Sequence, residues 1–218
     1  MNNFNRMAGA LTFGLTFGLT PALVANAEEL TFTPAEMIEW DTREFEGETH
    51  YRLTEVDGRE ALHARCDRSA SALYLEREIN LEETPVIEWQ WRINETFEPT
   101  IDERQKSGDD YAVRVYAVID GGWRRWRTEV VNYVWASAMS EGETWDNAYA
   151  RQAKMIAVRS GEEQAGEWVT ERRNLADDFE ATHGTRPETI DGIALMTDCD
   201  DQDTQIEGWY GTIRFLPE

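Results

Sequence analysis

Positive charge is scarce in this sequence of 218 residues. Lys and Arg together number 21 against 43 Asp and Glu, which gives a formal net charge of −22 at pH 7. Nucleic acids and anionic membrane surfaces are recognised through clustered Lys and Arg. The composition therefore argues against a nucleic-acid partner and against an anionic membrane surface.

Long apolar segments are absent after residue 27, so we expect no membrane insertion of the mature chain. The first 27 residues contain Arg6, an interrupted apolar stretch over 8–24, and the small-residue pattern Ala25-Asn26-Ala27. This arrangement is typical of a secretory signal peptide. The alternative is a transmembrane anchor, for which the apolar stretch is short and interrupted. We predict cleavage near Ala27 and a mature protein that is periplasmic or secreted.

Cysteine and histidine are also scarce, with two Cys and three scattered His, and their spacing makes no zinc pattern. Export would permit a disulfide between Cys66 and Cys199. The alternative is two buried thiols on separate strands, because a disulfide requires Cα atoms within about 7 Å. Both alternatives stay open from the sequence.

Motifs for nucleophilic catalysis and for phosphate binding are absent: there is no Gly-x-Ser-x-Gly and no Gly-rich phosphate loop. Glycoside hydrolysis needs two carboxylates at a set separation in space, which a sequence does not give. Glu88 with Asp109 or Asp110 is the pair that we would examine.

Period-two alternation is what the sequence has in quantity. Residues 86–93 and 111–119 each place apolar side chains on one face and polar ones on the other. Other segments typical of strands are 49–55, 60–66, 71–77, 128–135, 154–159, 167–173, 190–197 and 208–216. One short helix is predicted over 176–183, before Gly184. This pattern predicts an all-β fold with little helix, a jelly-roll-like β-sandwich of two antiparallel sheets, in a single domain over 28–218.

An ordered set of segments runs through residues 85–216. It comprises EWQWRI at 88–93, KSGDDYAVRVY at 106–116, NYVWAS at 132–137, SGEEQAGEWVTERRNLADDF at 160–179, IDGIALMTDCDDQDT at 190–204 and YGTIRF at 210–215. The set resembles DUF3047, a bacterial family of unknown function. The resemblance implies an exported β-sandwich similar to carbohydrate-binding jelly rolls, and it implies no particular activity.

Two sets of polar side chains accompany the clearest strands: Glu88, Gln90 and Arg92 on the first, and Arg114 and Tyr116 on the second. If these strands are neighbours, the five groups converge on a patch that suits a sugar, since carboxylates, amides and guanidinium groups bond vicinal hydroxyls. Asp109 or Asp110 could orient Arg114. The alternative is a solvated sheet face with weak cross-strand pairs.

Aromatic residues divide into two classes. Trp123, Trp126 and Trp145 lie in predicted turns or loops, where they could stack on sugar rings or pack inward. A second set is predicted to lie in the core: Trp89, Trp91, Trp135, Trp168 and Trp209.

An acidic segment follows residue 197, with Asp198, Asp200 and Asp203 among its carboxylates. Oxygen-rich loops suit Ca²⁺, so a structural Ca²⁺ is one interpretation and a solvated acidic loop is the other. No cofactor is required by either.

These patterns favour a non-catalytic module that binds a polysaccharide or glycan on a polar sheet face. One alternative is a glycoside hydrolase or a polysaccharide lyase on the same face. For the lyase, Gln90, Arg92 and Arg114 would neutralise a uronate and Tyr116 would act as the base. The other alternative is a structural or protein-interaction domain of the cell envelope.

Overall fold

The computed structural model describes residues 29–124 and 127–218, so the predicted signal peptide and Trp126 lie outside the described residues. The elements are β1 Leu30–Phe32, α1 Pro34–Met37, β2 Asp41–Glu46, β3 His50–Val56, β4 Arg59–Asp67, β5 Ala70–Asn80, β6 Val86–Ile93, a 3₁₀ turn Lys106–Gly108, β7 Arg114–Ile119, β8 Glu129–Ala136, β9 Thr144–Asp146, β10 Ala153–Ser160, β11 Val169–Asn174, α2 Leu175–His183, β12 Thr189–Asp198 and β13 Gln205–Leu216. Neither helix in this part of the chain is long and apolar enough to cross a membrane.

The strands form two sheets that pack face to face. Sheet A has the order β11-β6-β13-β4-β3, and β1 pairs with the second half of β13. Sheet B has the order β2-β5-β12-β7-β8-β10-β9. The predicted two-sheet β-sandwich is confirmed. Neighbouring strands are antiparallel except β8 and β10, which run parallel.

The core lies between the sheets and follows from the alternation. The apolar face of β6 is fully buried, and it meets the inner face of β8 across the sandwich. Trp89 of β6 stacks on Tyr133 of β8 with ring centroids 4.9 Å apart, and Trp91 lies 6.2 Å from Trp135. Because each strand buries one face here, its other face must point outward.

All ten predicted strands are present, and so is the predicted helix. In α2, the Asn174 side chain accepts a hydrogen bond from the Asp177 amide at 3.1 Å, and Gly184 ends the helix with φ of 82°. The sequence interpretation missed β1, β2 and β9. Two of these have three residues each, and the third is exposed at every position.

A disulfide joins the two sheets. Cys66 lies on β4 of sheet A and Cys199 directly follows β12 of sheet B, with Cα atoms 6.1 Å apart. Of the two alternatives for this pair, the disulfide is the one found. The bond closes 133 residues of chain and fastens the sheets together beside the acidic segment.

Candidate functional site

The predicted convergence of five polar groups is wrong. β6 lies in sheet A and β7 in sheet B, and both bury their apolar faces in the same core. Their polar faces therefore point outward on opposite sides of the sandwich. Glu88 does not face Asp109 or Asp110 as a carboxylate pair. The set expected for a lyase is likewise divided, with Gln90 and Arg92 on sheet A and Tyr116 on sheet B.

Arg114 is a buried cation rather than a surface group. Its side chain is 3% exposed, and its Nε donates to Asp198 Oδ1 at 2.8 Å, with a further bond to Asp198 Oδ2. On the other side, Arg114 Nη1 lies 3.5 Å from Asp109, whose oxygens are 2.7 and 2.9 Å from the amide nitrogen of Asn147. Asp109 therefore does help to orient Arg114, but neither side chain is open to a ligand. This corrects their expected role in ligand binding.

The outer face of sheet B carries one row of side chains across all seven strands. In strand order the paired residues are Asp41, Tyr74, Ala194, Tyr116, Asn132, Met155 and Trp145. Directly paired residues point to the same face of a sheet, so Tyr74 and Tyr116 stand on either side of Ala194. Strands are about 4.8 Å apart, which puts the two tyrosine backbones roughly 10 Å apart. We call this set the tyrosine row.

Small residues line the surface between the two tyrosines. Ala194, on β12 between the tyrosines, is 9% exposed, whereas Tyr74 and Tyr116 are each partly exposed. Gly192 continues the line on β12, where a Cβ atom would lie 2.8 Å from the Leu75 carbonyl oxygen. The arrangement is a shallow trough with aromatic walls.

Polar atoms of the tyrosine row have weak partners. The Tyr116 hydroxyl donates to Met196 Sδ at 2.9 Å, and the Asn132 amide donates to Met155 Sδ at 3.2 Å. Thioether sulfur is a weak acceptor. Asn132 Oδ1 is buried with no hydrogen-bond partner in the described part of the chain. Burial raises the pKa of Tyr116, so this hydroxyl stays protonated at neutral pH and is a donor rather than a base.

Two of the tryptophans expected to contact a ligand lie in the described part of the chain, and their positions differ. Trp145 is 8% exposed on β9 and packs into a second apolar cluster, with Tyr111 and Met155 among its members. It is therefore not an open loop aromatic, which corrects that expectation. Trp123 is 79% exposed on the connection from β7 to β8, with Arg124 Cζ 4.4 Å above its ring. A role for Trp123 in stacking stays a prediction.

The core prediction for the remaining tryptophans is partly wrong. Trp89, Trp91 and Trp135 are buried, but Trp168 and Trp209 are only partly buried. Trp209 pairs with His63 and with Arg92 on the outer face of sheet A.

An acidic triad lies beside the disulfide. Carboxylate oxygens of Asp110, Asp200 and Asp201 all come within 4.8 Å of one another, so the triad could hold a metal ion. Burial raises the pKa of Asp110 to about 6, although the Gln202 amide donates to it at 2.7 Å.

Two residues of the expected calcium set lie elsewhere. Asp198 forms an ion pair with Arg114 instead. Asp203 is exposed, and its Oδ1 lies 3.9 Å from Arg68 Nε. Asp110 and Asp201 take their places because the segment that leads into β7 lies next to the segment that follows β12. The Asp201 amide donates to Asp110 Oδ1 at 3.3 Å.

Sequence reasoning missed Tyr74 and Asn132. One signal was available for Asn132, since it is the single amide within the apolar segment 130–136. An isolated polar residue between apolar neighbours on a strand is either paired or exposed for use. Tyr74 carried no such signal, because only the register across β12 brings it next to Tyr116.

Several solved structures are similar to the chain at low identity. The glycoside hydrolase domain of Endo-D from Streptococcus pneumoniae R6 has 10% identity and a TM-score of 0.41, over 81% of this chain and 21% of that chain. The low-affinity xylan-binding module CBM86 from Roseburia intestinalis has 11% identity and a TM-score of 0.31, over 88% of this chain and 96% of that one. A variant of the Cel12A cellulase of Rhodothermus marinus has 12% identity and a TM-score of 0.39, over 86% and 97%.

The chain therefore spans about a fifth of the length of the Endo-D chain that it matches. A search of curated proteins gave no match. Residues 38–214 match the family described as "Protein of unknown function (DUF3047)". That match covers most of the chain and agrees with the resemblance of the segments between residues 85 and 216, so the chain belongs to the DUF3047 family.

Proposed function

We propose that the protein is an exported, non-catalytic carbohydrate-binding β-sandwich that holds a polysaccharide or glycan on the outer face of sheet B. The tyrosine row is the observation that carries the proposal. Tyr74 and Tyr116 flank Ala194, so two aromatic rings border a trough of small residues. Aromatic side chains present a large apolar surface together with a polar end, which suits the faces and hydroxyls of sugar rings.

The polar groups beside the trough support the same ligand class. The Tyr116 hydroxyl donates to Met196 Sδ and the Asn132 amide donates to Met155 Sδ. A sugar hydroxyl both donates and accepts, so it can replace these weak bonds with stronger ones. Asn132 Oδ1, which is buried without a partner, could be satisfied by a modest shift of the side chain toward such a hydroxyl.

Binding without catalysis is favoured over hydrolysis or elimination by what surrounds the trough. Asp198 on this face is paired with Arg114, and the exposed carboxylates Asp41 and Glu76 lie on β2 and β5, to one side of the trough rather than between the two tyrosines. Glycoside hydrolysis needs two available carboxylates. A lyase needs a base, and burial raises the pKa of Tyr116 instead of lowering it.

Export is part of the proposal and is supported by the Cys66–Cys199 disulfide, since disulfides persist in oxidising compartments. A structural Ca²⁺ at Asp110, Asp200 and Asp201 also belongs to it. Three carboxylates within 4.8 Å repel one another, and a divalent cation ligated by oxygen would relieve that repulsion.

A melting-temperature screen of the purified protein tests the proposal, with soluble xylans, glucans and mannans as probes. A ligand at about 100 times its Kd should stabilise the protein by roughly 2.7 kcal/mol, a shift of a few degrees. Tyr74→Ala and Tyr116→Ala should each weaken binding by about tenfold. Tyr149→Ala is the matched control, because Tyr149 is an exposed tyrosine beside the acidic triad and outside the tyrosine row.

The outcomes separate the three candidate functions. A shift that the two tyrosine variants lose and the control keeps supports binding on sheet B. Release of shortened sugars by the wild-type protein supports a hydrolase or lyase instead. No shift with any polysaccharide favours an interaction domain of the cell envelope and contradicts the proposal.

A further inference from the structure

The outer face of sheet A carries a second row of side chains, on the side of the molecule opposite to the tyrosine row. Direct pairing across β3, β4, β13 and β6 aligns Arg52, His63, Trp209 and Arg92. Trp168 directly precedes Val169, the partner of Trp91, so it continues the row beside Arg92. We call these five residues the arginine–tryptophan row.

Four of the five planar groups of this row, those of Arg52, His63, Trp209 and Arg92, are stacked or bonded to one another. The His63 and Trp209 rings are 4.9 Å apart and within 18° of parallel, and Arg92 Cζ lies 5.8 Å from the Trp209 ring. Arg52 Nε donates to His63 Nδ1 at 3.1 Å. Stacking fixes each group at little further entropic cost, so the row is a preformed surface.

Hydrogen-bond donors dominate this surface. Because His63 Nδ1 accepts from Arg52, the imidazole proton lies on Nε2, which is 3.4 Å from Glu207. Arg92 Nη1 is paired with Asp57 at 2.6 Å, and Arg92 Nε and Trp168 Nε1 are buried just below the surface with no acceptor in the described part of the chain. A ligand for this row must therefore supply acceptors.

The outer face of sheet A carries an excess of positive charge, whereas the whole chain carries a net negative charge. The strands of sheet A place six arginines on this outer face, namely Arg52, Arg59, Arg65, Arg92, Arg172 and Arg214. Three carboxylates point to the same face from these strands, those of Asp67, Glu88 and Glu207. In the whole chain, by contrast, 43 acidic residues face 21 Lys and Arg. Among the described residues, Arg52 and Arg59 form no ion pair with a carboxylate.

We infer that the arginine–tryptophan row is a second binding site, which takes the carboxylate groups of an acidic glycan such as a polyuronate. Guanidinium groups recognise carboxylates through paired, planar hydrogen bonds, and Arg52 has its Nη donors available for this. Gln90 and Thr170 are paired on the neighbouring row, with Gln90 Nε2 3.5 Å from Thr170 Oγ1. Their amide and hydroxyl can bond to sugar hydroxyls.

A uronate chain fits this face better than a nucleic acid or an anionic membrane does. The cations form a stripe interrupted by Glu207 and Asp57, and the rest of the molecule is strongly acidic. A broad polyanionic surface would meet that acidic remainder, whereas one extended chain can follow the stripe.

Titration calorimetry with short oligogalacturonates tests the inference, and the fully methyl-esterified oligomers are the matched neutral probe. The acidic oligomers should bind and the esterified ones should bind at least about tenfold more weakly. Raising the salt concentration from about 50 to about 300 mM should weaken the acidic complex, because charge pairs at a surface are screened.

Arg52→Gln should reduce affinity for the acidic oligomers by about tenfold, and Arg52→Lys should restore part of it, since the charge returns without the planar fork. Arg186→Gln is the control, because Arg186 is an exposed arginine paired with Asp177 beside α2, away from sheet A's outer face. Arg52 is exposed, so these variants should fold normally, which the melting temperature checks.

Several results would overturn the inference. These are equal binding of the esterified oligomers, equal losses in Arg52→Gln and Arg186→Gln, or tighter binding of duplex DNA or phosphatidylglycerol vesicles than of oligogalacturonate. Tyr116→Ala should leave acidic-oligomer affinity unchanged. The second site and the proposed function of sheet B can therefore fail separately.

Discussion

The two outer faces of the sandwich use charge in opposite ways. On sheet B, Arg114 is buried between Asp198 and Asp109, and its neighbours on the outer face, Tyr116, Ala194 and Met196, carry no charge. On sheet A, Arg52 and Arg92 lie at the surface with aromatic or imidazole neighbours. Alternation alone therefore does not distinguish a structural cation from an available one, because Arg114 is enclosed by two carboxylates whereas Arg52 has none beside it in the described part of the chain.

The largest expected effect comes from removing the buried cation. Arg114→Met should destabilise the protein by about 3–5 kcal/mol, because Asp198 and Asp109 are left as uncompensated buried charges. Arg92→Met is the matched change on sheet A and should cost less than about 1 kcal/mol, since its partner Asp57 is 66% exposed. Urea unfolding measures both, and equal losses would abolish the contrast between the faces.

The disulfide should have the next largest effect, since it fastens one sheet to the other. Replacing both Cys66 and Cys199 by Ala should lower the free energy of unfolding by about 2–5 kcal/mol, because the bond closes 133 residues of chain. Thermal unfolding of the variant beside the wild-type protein measures the loss. An unchanged melting temperature would show that the core alone holds the sheets together.

The acidic triad adds a pH dependence at the end of sheet B. Burial raises the pKa of Asp110 to about 6, so the folded state binds this proton more tightly than the unfolded state does. Stability from Asp110 is therefore fully present below its unfolded pKa near 3.8 and is lost as pH rises to about 6.

In chelator, the stability of the wild-type protein relative to Asp110→Asn should thus fall by about 1–3 kcal/mol between about pH 4 and pH 6. Added Ca²⁺ should reverse the fall at pH 7 in the wild-type protein and have less effect in the variant. Unfolding curves with Ca²⁺ and with chelator measure both. A relative stability that does not vary with pH would contradict the environment assigned to Asp110.

The smallest expected effect is that of Tyr116→Phe, a change that distinguishes binding from catalysis on the tyrosine row. Tyr116→Phe keeps the ring and loses only a hydroxyl that donates to Met196, so glycan affinity should stay within about threefold of wild type. An equilibrium binding assay with the strongest ligand from the polysaccharide screen checks this. If the wild-type protein cleaves a polysaccharide and Tyr116→Phe does not, Tyr116 is a catalytic residue and the binding proposal is wrong.

Alternation predicted the faces of individual strands well and the partners of those strands not at all. The inward set on β6 is buried as expected. However, nothing within residues 86–93 or 111–119 says that one strand belongs to sheet A and the other to sheet B, because both bury the same kind of face. The five-group patch failed for that reason.

Contacts between residues far apart in the sequence explain why the positions of Arg114 and Trp209 differ from the prediction. Arg114 between two valines marked an unusual position, but its partner Asp198 lies 84 residues later. Trp209 lies between Gly208 and Tyr210, which are both buried, so alternation puts Trp209 on the opposite face, where the register aligns it with His63 on the outer face of sheet A.

Mapping the ligand onto the two faces is the most direct test of glycan binding on the tyrosine row. Amide chemical shifts of the protein would be recorded with increasing amounts of the neutral oligosaccharide that stabilises it most in the screen. We expect changes centred on Tyr74, Ala194 and Tyr116, with the amides of Arg52 and His63 unaffected. Changes centred on sheet A, or none near the tyrosine row at saturation, would contradict it.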